Sequence, residues 1–352
     1  MKNKKRVLKI GKKIITSESD CFIVAEIGHN HQGSVEIAKQ LFKAAKDCGV
    51  DAVKLQKRHN KKLYTKNFYD SLYTSENAFG PTYGLHREKL EFGRQEFKEL
   101  KDYAKHLGLV FFATPFDFES VDFLEDLEMP VYKIASADIT HLPLISYIAK
   151  TGKPIIMSTG AATIEDVKRA RETIMVINPQ LAIMQCTASY PASFSELDLH
   201  VIRTYHEHFP ENVIGYSGHD NSISMPVAAY VLGARIIEKH FTLNRVMKGT
   251  DHVFSLEPVG MRKLVRDLRR LKQALGDGMK KVYESEKEGV AKMRKKIVSA
   301  KDLPKGHVIT KRDLSFKSPG GGLHPYEADK LIGKKLKRQV KEDETIMLRD
   351  VV

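Results

Sequence analysis

The sequence has no tryptophan and only three cysteines in 352 residues. The cysteines (Cys21, Cys48 and Cys186) are odd in number and lack the spacing of metal ligands, which favours free thiols in a reducing cytoplasm over a disulfide framework. No apolar run approaches the roughly 18–20 residues that span a bilayer. The N-terminal segment alternates lysines with apolar residues and has no secretory signal core. We therefore expect a cytoplasmic protein with no membrane partner.

Clustered basic segments are also scarce, although the formal net charge is +14. The lysines and arginines are dispersed among acidic residues, and no basic run is interleaved with aromatic residues as in proteins that bind single-stranded nucleic acid. A dispersed positive charge of this kind favours small anionic substrates. We predict no nucleic-acid partner.

From Cys21 onwards, short apolar segments alternate with amphipathic helical segments. Eight of the apolar segments predict strands: 21–28, 51–56, 109–114, 131–136, 154–159, 181–187, 212–217 and 234–241. Eight strand–helix repeats over about 260 residues are typical of a (β/α)₈ barrel in the α/β class. A doubly wound open sheet is the alternative, but the turn after the first strand, GHNHQG, is not the GxGxxG expected there.

The remaining segments predict the domain organisation. Residues 1–20 contain two short strand candidates around Gly11 and predict an N-terminal hairpin. The barrel is assigned to 21–280, a lysine- and glutamate-rich linker to 281–295, and a small β-rich domain to 296–352. Within the barrel, the long insertion from His59 to Gly93 is of the kind that often builds active-site walls.

Polar residues interrupt the predicted strands at their carboxyl ends, where barrels of this class place active sites. These residues are Glu26, Lys54, Gln56, Thr114, Lys133, Ser136, Ser158, Ser217, His219, Glu238 and His240. Each alone has an ordinary structural explanation, such as a helix-capping serine or a lysine that reaches solvent. However, an unpaired lysine inside a barrel costs several kcal/mol. Two inward lysines with several hydroxyls therefore predict a phosphate or carboxylate site.

Two histidines come from the last two predicted strands, so His219 and His240 can approach a common point. Glu238 and His240 are two residues apart and share one strand face. Two imidazoles with open positions suit a divalent metal that polarises a carbonyl group as a Lewis acid. Glu26 and Glu238 are then candidates for proton transfer or for orienting a histidine.

The chain carries an ordered set of motifs that covers nearly its whole length: IVAEIGHNHQG, VKLQ, ATPFD, YKIAS, MSTGAAT, QCTASYP, GYSGHD, EKHFTL, TDHVFSLEP and KKIVSAKDLPKGHVIT. Together these motifs resemble the sialic acid synthase family. The resemblance implies a (β/α)₈ barrel followed by a C-terminal domain similar to type III antifreeze protein (a SAF domain), usually in a domain-swapped homodimer.

The resemblance also implies the reaction, a condensation of phosphoenolpyruvate with an N-acylmannosamine or its 6-phosphate to give a nine-carbon sialic acid and phosphate. Phosphoenolpyruvate would be held by Lys54, Thr114, Lys133, Ser136, Ser158 and Ser217. A divalent metal, Mn²⁺ before Mg²⁺ or Co²⁺, would be held by His219 and His240. Glu26 matches the acid/base residue, and the sugar contacts would be Gln56, Asp138, Tyr190 and Asp251.

Two positions depart from the bacterial pattern and leave the acceptor open. Ala188 stands where family members that use free N-acetylmannosamine often have asparagine, and Ser318 stands where they often have an arginine that contacts the N-acetyl group. Residues 80–92 look closer to the animal branch, which uses the 6-phosphate. Four basic residues are candidates for phosphate contacts, with solvated surface charge as the alternative: Lys57, Arg58, Arg87 and Lys248.

Other functions fit the motifs less well. Bacterial legionaminic and pseudaminic acid synthases, which act on modified hexosamines, share the GLHP-type segment found at 322–325. Related enzymes that condense phosphoenolpyruvate with arabinose 5-phosphate or erythrose 4-phosphate are disfavoured by the antifreeze-like tail. A non-catalytic polysaccharide-binding relative is disfavoured by the intact set of lysines and histidines.

Overall fold

The computed structural model describes residues 7–352. Two short antiparallel strands come first, β1 (Val7–Ile10) and β2 (Lys13–Thr16), joined by a turn in which Gly11 has a φ of 56°. Glycine adopts this left-handed conformation at little cost because it has no Cβ. Residues 1–6, which the sequence also assigns to the hairpin segment, lie outside the described residues.

Eight parallel strands then close into a barrel, in chain order, with the last strand hydrogen-bonded to the first. Their bounds are β3 (Phe22–Gly28), β4 (Ala52–Lys57), β5 (Val110–Pro115), β6 (Tyr132–Ile134), β7 (Ile155–Ser158), β8 (Leu181–Cys186), β9 (Val213–Gly218) and β10 (Ile236–His240). Each strand falls on one of the eight predicted segments, so the predicted (β/α)₈ barrel is confirmed.

The helices of the barrel unit follow the strands, and three short ones form within the long insertion after β4. Their bounds are α1 (Val35–Cys48), α2 (Asn60–Leu63), α3 (Lys66–Tyr69), α4 (Tyr83–Lys89), α5 (Arg94–Leu107), α6 (Phe118–Asp126), α7 (Leu142–Ala149), α8 (Ile164–Met175), α9 (Val201–His208), α10 (Ser224–Val231) and α11 (Pro258–Leu275). No helix within residues 7–352 combines the length and the apolarity needed to cross a bilayer.

Alternation of side chains along each strand separates two apolar cores. Outward residues such as Val53 and Leu55 belong to the core shared with the helices, whereas their neighbour Ala52 belongs to a core inside the barrel. Leu8 and Ile10 of β1 join this inner core, together with residues from the beginnings of the strands. The interior is therefore filled by apolar side chains at the amino ends of the strands, and polar side chains occupy the carboxyl ends.

A second compact unit covers Gly276–Val352. It contains α12 (Lys287–Met293), which lies in the segment that the sequence assigns to a linker, and a two-stranded antiparallel sheet of β11 (Lys296–Ser299) and β12 (Leu314–Lys317). Nine buried apolar side chains form its own core, among them Val340. The prediction of a small β-rich domain in this part of the chain is confirmed.

Candidate active site

A cavity of about 540 Å³ opens at the carboxyl ends of the barrel strands. Every barrel strand, or the residue just after it, contributes to the wall. Thirteen of the fourteen residues predicted for the site line this cavity: Glu26, Lys54, Gln56, Thr114, Lys133, Ser136, Ser158, Tyr190, Ser217, His219, Glu238, His240 and Asp251. The closed barrel therefore brings together side chains that are far apart in the sequence.

Two buried lysines in the cavity wall hydrogen-bond hydroxyl groups of the next strand. Lys54 Nζ donates to Thr114 Oγ1 at 2.9 Å, and Lys133 Nζ donates to Ser158 Oγ at 2.6 Å. Both lysines are less than 5% exposed. Charged donors and hydroxyls arranged in this way are suited to the oxygens of phosphate or carboxylate groups.

Two buried carboxylates offset the lysines. Glu26 Oε2 lies 2.9 Å from Lys54 Nζ, and Glu238 Oε1 lies 3.5 Å from Lys54 Nζ and 3.8 Å from Lys133 Nζ. Burial raises the pKa of Glu26, and Lys54 only partly opposes this effect. Burial acts on Glu238 too, but the attraction of Lys133 and Lys54 outweighs it and lowers the pKa of Glu238. Of the two carboxyls, Glu26 therefore holds a proton more readily. We call these four residues the inner cluster.

The rings of His219 and His240 lie close together, with centroids 5.4 Å apart. His219 Nδ1 lies 2.7 Å from the Thr187 carbonyl oxygen, which can only accept, so Nδ1 carries a proton, and Nε2 is the nitrogen that has a lone pair when the ring is neutral. His240 Nδ1 is buried and lies 3.6 Å from Asp251 Oδ2. Burial holds the pKa of His240 well below its ordinary value. The ring is therefore neutral, the form in which histidine binds metals.

These two histidines are the part of the wall that could hold a metal ion. In the described part of the chain, no group of three or more His, Cys, Asp or Glu side chains is arranged as a metal site. His240 Nδ1 and Glu238 Oε2 are nevertheless buried polar atoms that no hydrogen bond of the described residues satisfies. The donor set fits an ion that takes two imidazoles from the protein and its other ligands from substrate and water.

Aromatic rings pack against the histidine pair. The Tyr190 ring centroid lies 4.2 Å from that of His219, and the Phe254 centroid lies 4.8 Å from that of His240. Phe254 is not among the residues predicted from the sequence, because an apolar side chain in a loop gives no chemical signal. The aromatic contacts fix the orientation of both imidazole rings.

A second polar group lies in the wall formed by the residues after β3 and β4 and by α4. Arg58 Nη1 lies 2.9 Å from His29 Nε2, and Arg87 Nη1 lies 3.1 Å from His29 Nδ1. Arg58 Nη2 also donates to Gln56 Oε1 at 2.6 Å, and its guanidinium lies 3.7 Å from the centroid of the Phe116 ring. We call Arg58, Arg87 and His29 the outer cluster.

The other two basic candidates do not line the cavity. Lys57 Nζ lies 2.9 Å from Glu91 Oε2, and Lys248 Nζ lies 5.0 Å above the centroid of the Phe79 ring. His29 was not among the candidates. Its position in the GHNHQG turn, directly after the first barrel strand, is the signal that marks it.

Asp138, which the resemblance assigns to the sugar, is not among the residues that line the cavity. It lies in a 3₁₀ turn (Ser136–Asp138) directly after β6, and it is 8% exposed. Its Oδ2 is buried without a hydrogen-bond partner among residues 7–352. Burial raises the pKa of Asp138 to about 7, and the nearby Arg58 only partly opposes this effect.

Comparison with known proteins shows the family to which the chain belongs. Residues 41–280 match the NeuB family, and residues 294–352 match the SAF domain. The N-acetylneuraminate-9-phosphate synthase of Homo sapiens is 37% identical over 334 residues, covering 95% of this chain and 93% of the human protein. The chain belongs to the NeuB family. This confirms the resemblance to the sialic acid synthases that the sequence motifs indicate.

Two further synthases are also similar to this chain. The N,N'-diacetyllegionaminic acid synthase of Campylobacter jejuni is 37% identical, with 92% of this chain and 98% of that protein covered. The crystal structure of the N-acetylneuraminic acid synthetase of Leptospira borgpetersenii in complex with citrate has a TM-score of 0.72 and 29% identity, and the match covers 82% of this chain and 97% of that one. Family membership thus identifies a synthase of the sialic acid type without deciding its acceptor.

Proposed function

We propose that this NeuB-family protein condenses phosphoenolpyruvate with N-acetylmannosamine or its 6-phosphate, forming N-acetylneuraminate or its 9-phosphate and releasing phosphate. The proposal rests chiefly on one observation: the hydrogen-bonded lysines and hydroxyls and the adjacent pair of histidines line one cavity. Such a cavity can place an anionic donor beside an activated carbonyl group. The names of the human and Leptospira relatives support the same reaction class.

In this proposal, the inner cluster binds phosphoenolpyruvate. Lys54 and Lys133 supply positive charge, and four hydroxyls supply further donors: Thr114, Ser136, Ser158 and Ser217. The hydroxyls of Thr114 and Ser158 already accept hydrogen bonds from the lysines, so they are oriented before the substrate enters. A preorganised site of this kind avoids the cost of ordering its side chains during the reaction.

His219 and His240 would hold a divalent metal, for which we propose Mn²⁺. The bound ion would supply Lewis-acid polarisation of the acceptor's aldehyde. The histidines, packed against Tyr190 and Phe254, keep their nitrogens in a fixed orientation. Gln56, Tyr190 and Asp251 line the same cavity and would contact the sugar.

Bond formation then proceeds between the two bound substrates. C3 of phosphoenolpyruvate attacks the aldehyde carbon, a C–C bond forms, and the aldehyde oxygen takes up a proton. Water adds to C2 and loses a proton, and phosphate leaves as its C–O bond breaks. Glu26, whose pKa burial raises, is the carboxyl that we assign to proton transfer at the acceptor.

Modified hexosamines are a second class of acceptor that the comparisons support. The Campylobacter relative named as an N,N'-diacetyllegionaminic acid synthase is as similar to this chain as the human relative is. Ala188 lines the cavity and leaves more room than the asparagine expected there for free N-acetylmannosamine. A diacetamido-hexose is therefore included as a third acceptor in the test.

The direct test follows phosphoenolpyruvate consumption and phosphate release with Mn²⁺ and each acceptor, with a chelator as control. We expect Lys133→Met to lower kcat/KM for phosphoenolpyruvate by about 10- to 100-fold through the loss of a charged hydrogen bond. Lys153→Met is the matched control, since Lys153 pairs with Glu125 away from the cavity.

A second variant tests the proposed metal site. His240→Ala should weaken Mn²⁺ binding by at least about 10-fold, as measured by electron paramagnetic resonance. Full turnover by His240→Ala, or no consumption with any acceptor, would contradict the proposal.

A further inference from the structure

The loop between β10 and α11 carries two residues of the cavity wall that lie beside His240. This loop, residues 241–257, runs mainly as a series of turns. Asp251 Oδ2 lies 3.6 Å from His240 Nδ1, and the Phe254 ring packs against the His240 ring. A segment of turns lacks the repeating hydrogen bonds of a helix or a sheet, so its position depends on individual contacts.

The base of this loop is fixed by buried side chains. Asn30 Nδ2 donates to the Phe241 carbonyl oxygen and to Ser255 Oγ, both at 2.9 Å. Ser255 Oγ in turn donates to the Asp251 carbonyl oxygen at 2.5 Å. These contacts hold the backbone of Asp251 and do not involve its carboxyl group.

The carboxyl group of Asp251 is oriented by the residue before it. Thr250 Oγ1 donates to Asp251 Oδ1 at 3.0 Å, and the other carboxyl oxygen faces His240. Thr250 also lines the cavity. The direction of the Asp251 carboxyl therefore depends on where the chain places Thr250.

The peptide unit just before Thr250 is held from both sides by amide side chains of other segments. Gln32 Nε2 donates to the Lys248 carbonyl oxygen at 2.7 Å, and Asn77 Oδ1 accepts from the Gly249 N–H at 2.9 Å. Gln32 belongs to the turn after β3, and Asn77 belongs to the insertion after β4. We call these two amides and the peptide unit that they hold the clamp.

The backbone at the clamp has positive φ angles. Gln32 has a φ of 54°, a conformation that costs energy for a residue with a Cβ and persists only where other contacts compensate. Gly249 has a φ of 141°, and a Cβ there would lie 2.9 Å from His252 Cδ2, so this position requires glycine. Both conformations direct the polar groups of the clamp towards each other.

We propose that Gln32 and Asn77 are positioning residues for the acceptor. By holding the peptide unit of the clamp they fix Thr250, and thereby the direction in which the Asp251 carboxyl meets the sugar. This inference rests on the proposed condensation, in which Asp251 contacts the sugar. Neither amide lines the cavity, so both act through the loop. The lysines that would bind phosphoenolpyruvate lie on β4 and β6, and the clamp should not affect them.

The two amides use opposite ends of their functional group, which provides a matched pair of variants. Gln32→Glu replaces the N–H donor by an ionised carboxylate, which cannot donate to the Lys248 carbonyl oxygen. Asn77→Asp keeps an oxygen that accepts from the Gly249 N–H. Both variants add the same negative charge beside the same peptide unit. The first should open the clamp and the second should leave it closed.

Limited proteolysis by trypsin measures the clamp without any substrate, because trypsin cleaves after lysine and the clamp holds the peptide bond after Lys248. Gln32→Glu and Asn77→Ala should raise the rate of cleavage at this bond by roughly 2- to 10-fold, the effect expected of one neutral hydrogen bond. Asn77→Asp should be cleaved at the wild-type rate. Asn67→Ala, at an exposed position on α3, is the control and should also match the wild type. Mass spectrometry of the fragments identifies the bond that is cleaved.

Steady-state kinetics then test the role of the clamp in the reaction. Gln32→Glu and Asn77→Ala should raise KM for the acceptor by roughly 2- to 10-fold and leave kcat and KM for phosphoenolpyruvate nearly unchanged. Asn77→Asp and Asn67→Ala should keep the wild-type values. A general loss of stability would not separate the two KM values in this way.

The outcomes separate this inference from the reaction. Equal effects of Gln32→Glu and Asn77→Asp on cleavage, or no effect of Gln32→Glu, would overturn the clamp. Faster cleavage with an unchanged KM for the acceptor would overturn its role in positioning. A wild-type protein that consumes phosphoenolpyruvate with no acceptor would instead overturn the condensation, and a selective rise in cleavage of Gln32→Glu would still support the clamp.

Discussion

At the residue scale, the carboxyl group of Asp138 lies in surroundings that disfavour its charged form. Its carboxyl is buried directly after β6 and lacks a hydrogen-bond partner on Oδ2 among the described residues. Burial has the largest effect on the pKa of this carboxyl and raises it. The positive charge of Arg58 lowers the pKa, and the negative charge of Asp117 raises it. The neutral carboxyl is consequently favoured in the folded chain.

This burial predicts a pH-dependent stability. The pKa of Asp138 is about 7 in the folded chain against an ordinary value of 3.8, so between about pH 4 and pH 7 the folded chain retains a proton that the unfolded chain has released. The free energy of unfolding must therefore fall as the pH rises through this window, and the full cost persists above it. We predict that Asp138→Asn raises the free energy of unfolding by about 2–4 kcal/mol at pH 8 and by less at pH 5.

Urea denaturation of both proteins at the two pH values measures this difference. The exposed Asp102 on α5 provides a matched control, and Asp102→Asn should change stability little at either pH. An Asp138→Asn protein that is no more stable than the wild type at pH 8 would show that the carboxyl is paired in solution.

Side-chain alternation explains which residues could be assigned from the sequence and which could not. Ser158, the last residue of β7, lines the cavity, whereas Thr159, the next residue, does not and donates to the Met184 carbonyl oxygen at 2.8 Å. Two adjacent polar residues at a strand end are both candidates for the site, and the geometry of the barrel determines which of them lines the cavity. Likewise, Lys57 and Arg58 are adjacent in the sequence, but Lys57 pairs with Glu91 and Arg58 faces the cavity.

At the scale of elements, a buried ion pair joins β10 to the segment that follows β9. Lys239 Nζ lies 3.1 Å from Asp220 Oδ2 and also contacts the Asp220 carbonyl oxygen, and both side chains are fully buried. Asp220 directly follows His219, and Lys239 directly precedes His240. The pair therefore fixes the two chain segments that carry the proposed metal ligands.

Breaking this pair should be costly. We predict that Lys239→Met lowers the free energy of unfolding by about 3–5 kcal/mol, because it leaves the Asp220 carboxylate buried without its countercharge. Lys43→Met breaks an exposed pair with Asp47 on α1 and should cost no more than about 0.5 kcal/mol. Thermal and urea unfolding of both variants provide the measurement, and equal costs for the two variants would contradict the prediction.

Regular elements were easier to predict than the insertion. In helix α11 (Pro258–Leu275), for example, apolar residues recur at helical spacing over 18 residues, a pattern that is visible in the sequence. The insertion after β4 instead forms three helices of 4 to 7 residues, α2, α3 and α4. Such short helices have no readable periodicity and depend on tertiary packing. This is why Arg87, on α4, could be proposed only as one of four basic candidates.

At the scale of the whole molecule, the strand–helix rhythm was sufficient to predict the barrel, because each repeat must bury one apolar face against the next. The strand–helix pattern does not predict whether the chains associate, because association depends on the surface of the folded protein. The second unit has a core of nine apolar residues and exposes several large apolar side chains: Met293, Val308, Phe316, Tyr326 and Leu348. Exposed apolar groups on so small a unit favour contact with another surface.

We predict that the protein is a homodimer, with a sedimentation-equilibrium mass twice that of one chain. An apolar interface should persist at high salt, because salt screens charges but does not weaken apolar burial. Tyr326, which is 81% exposed, is the largest of these apolar side chains. Tyr326→Ser should weaken dimerisation by about 10-fold or more, because truncating a well-buried aromatic residue at an interface causes a loss of this size. Val176→Ser, at an 88% exposed position after α8 in the barrel unit, is the control. Two outcomes would show that the exposed apolar side chains of the second unit do not mediate assembly. One is a wild-type protein that is fully active as a single chain at micromolar concentration. The other is an equal dimer dissociation constant for the two variants.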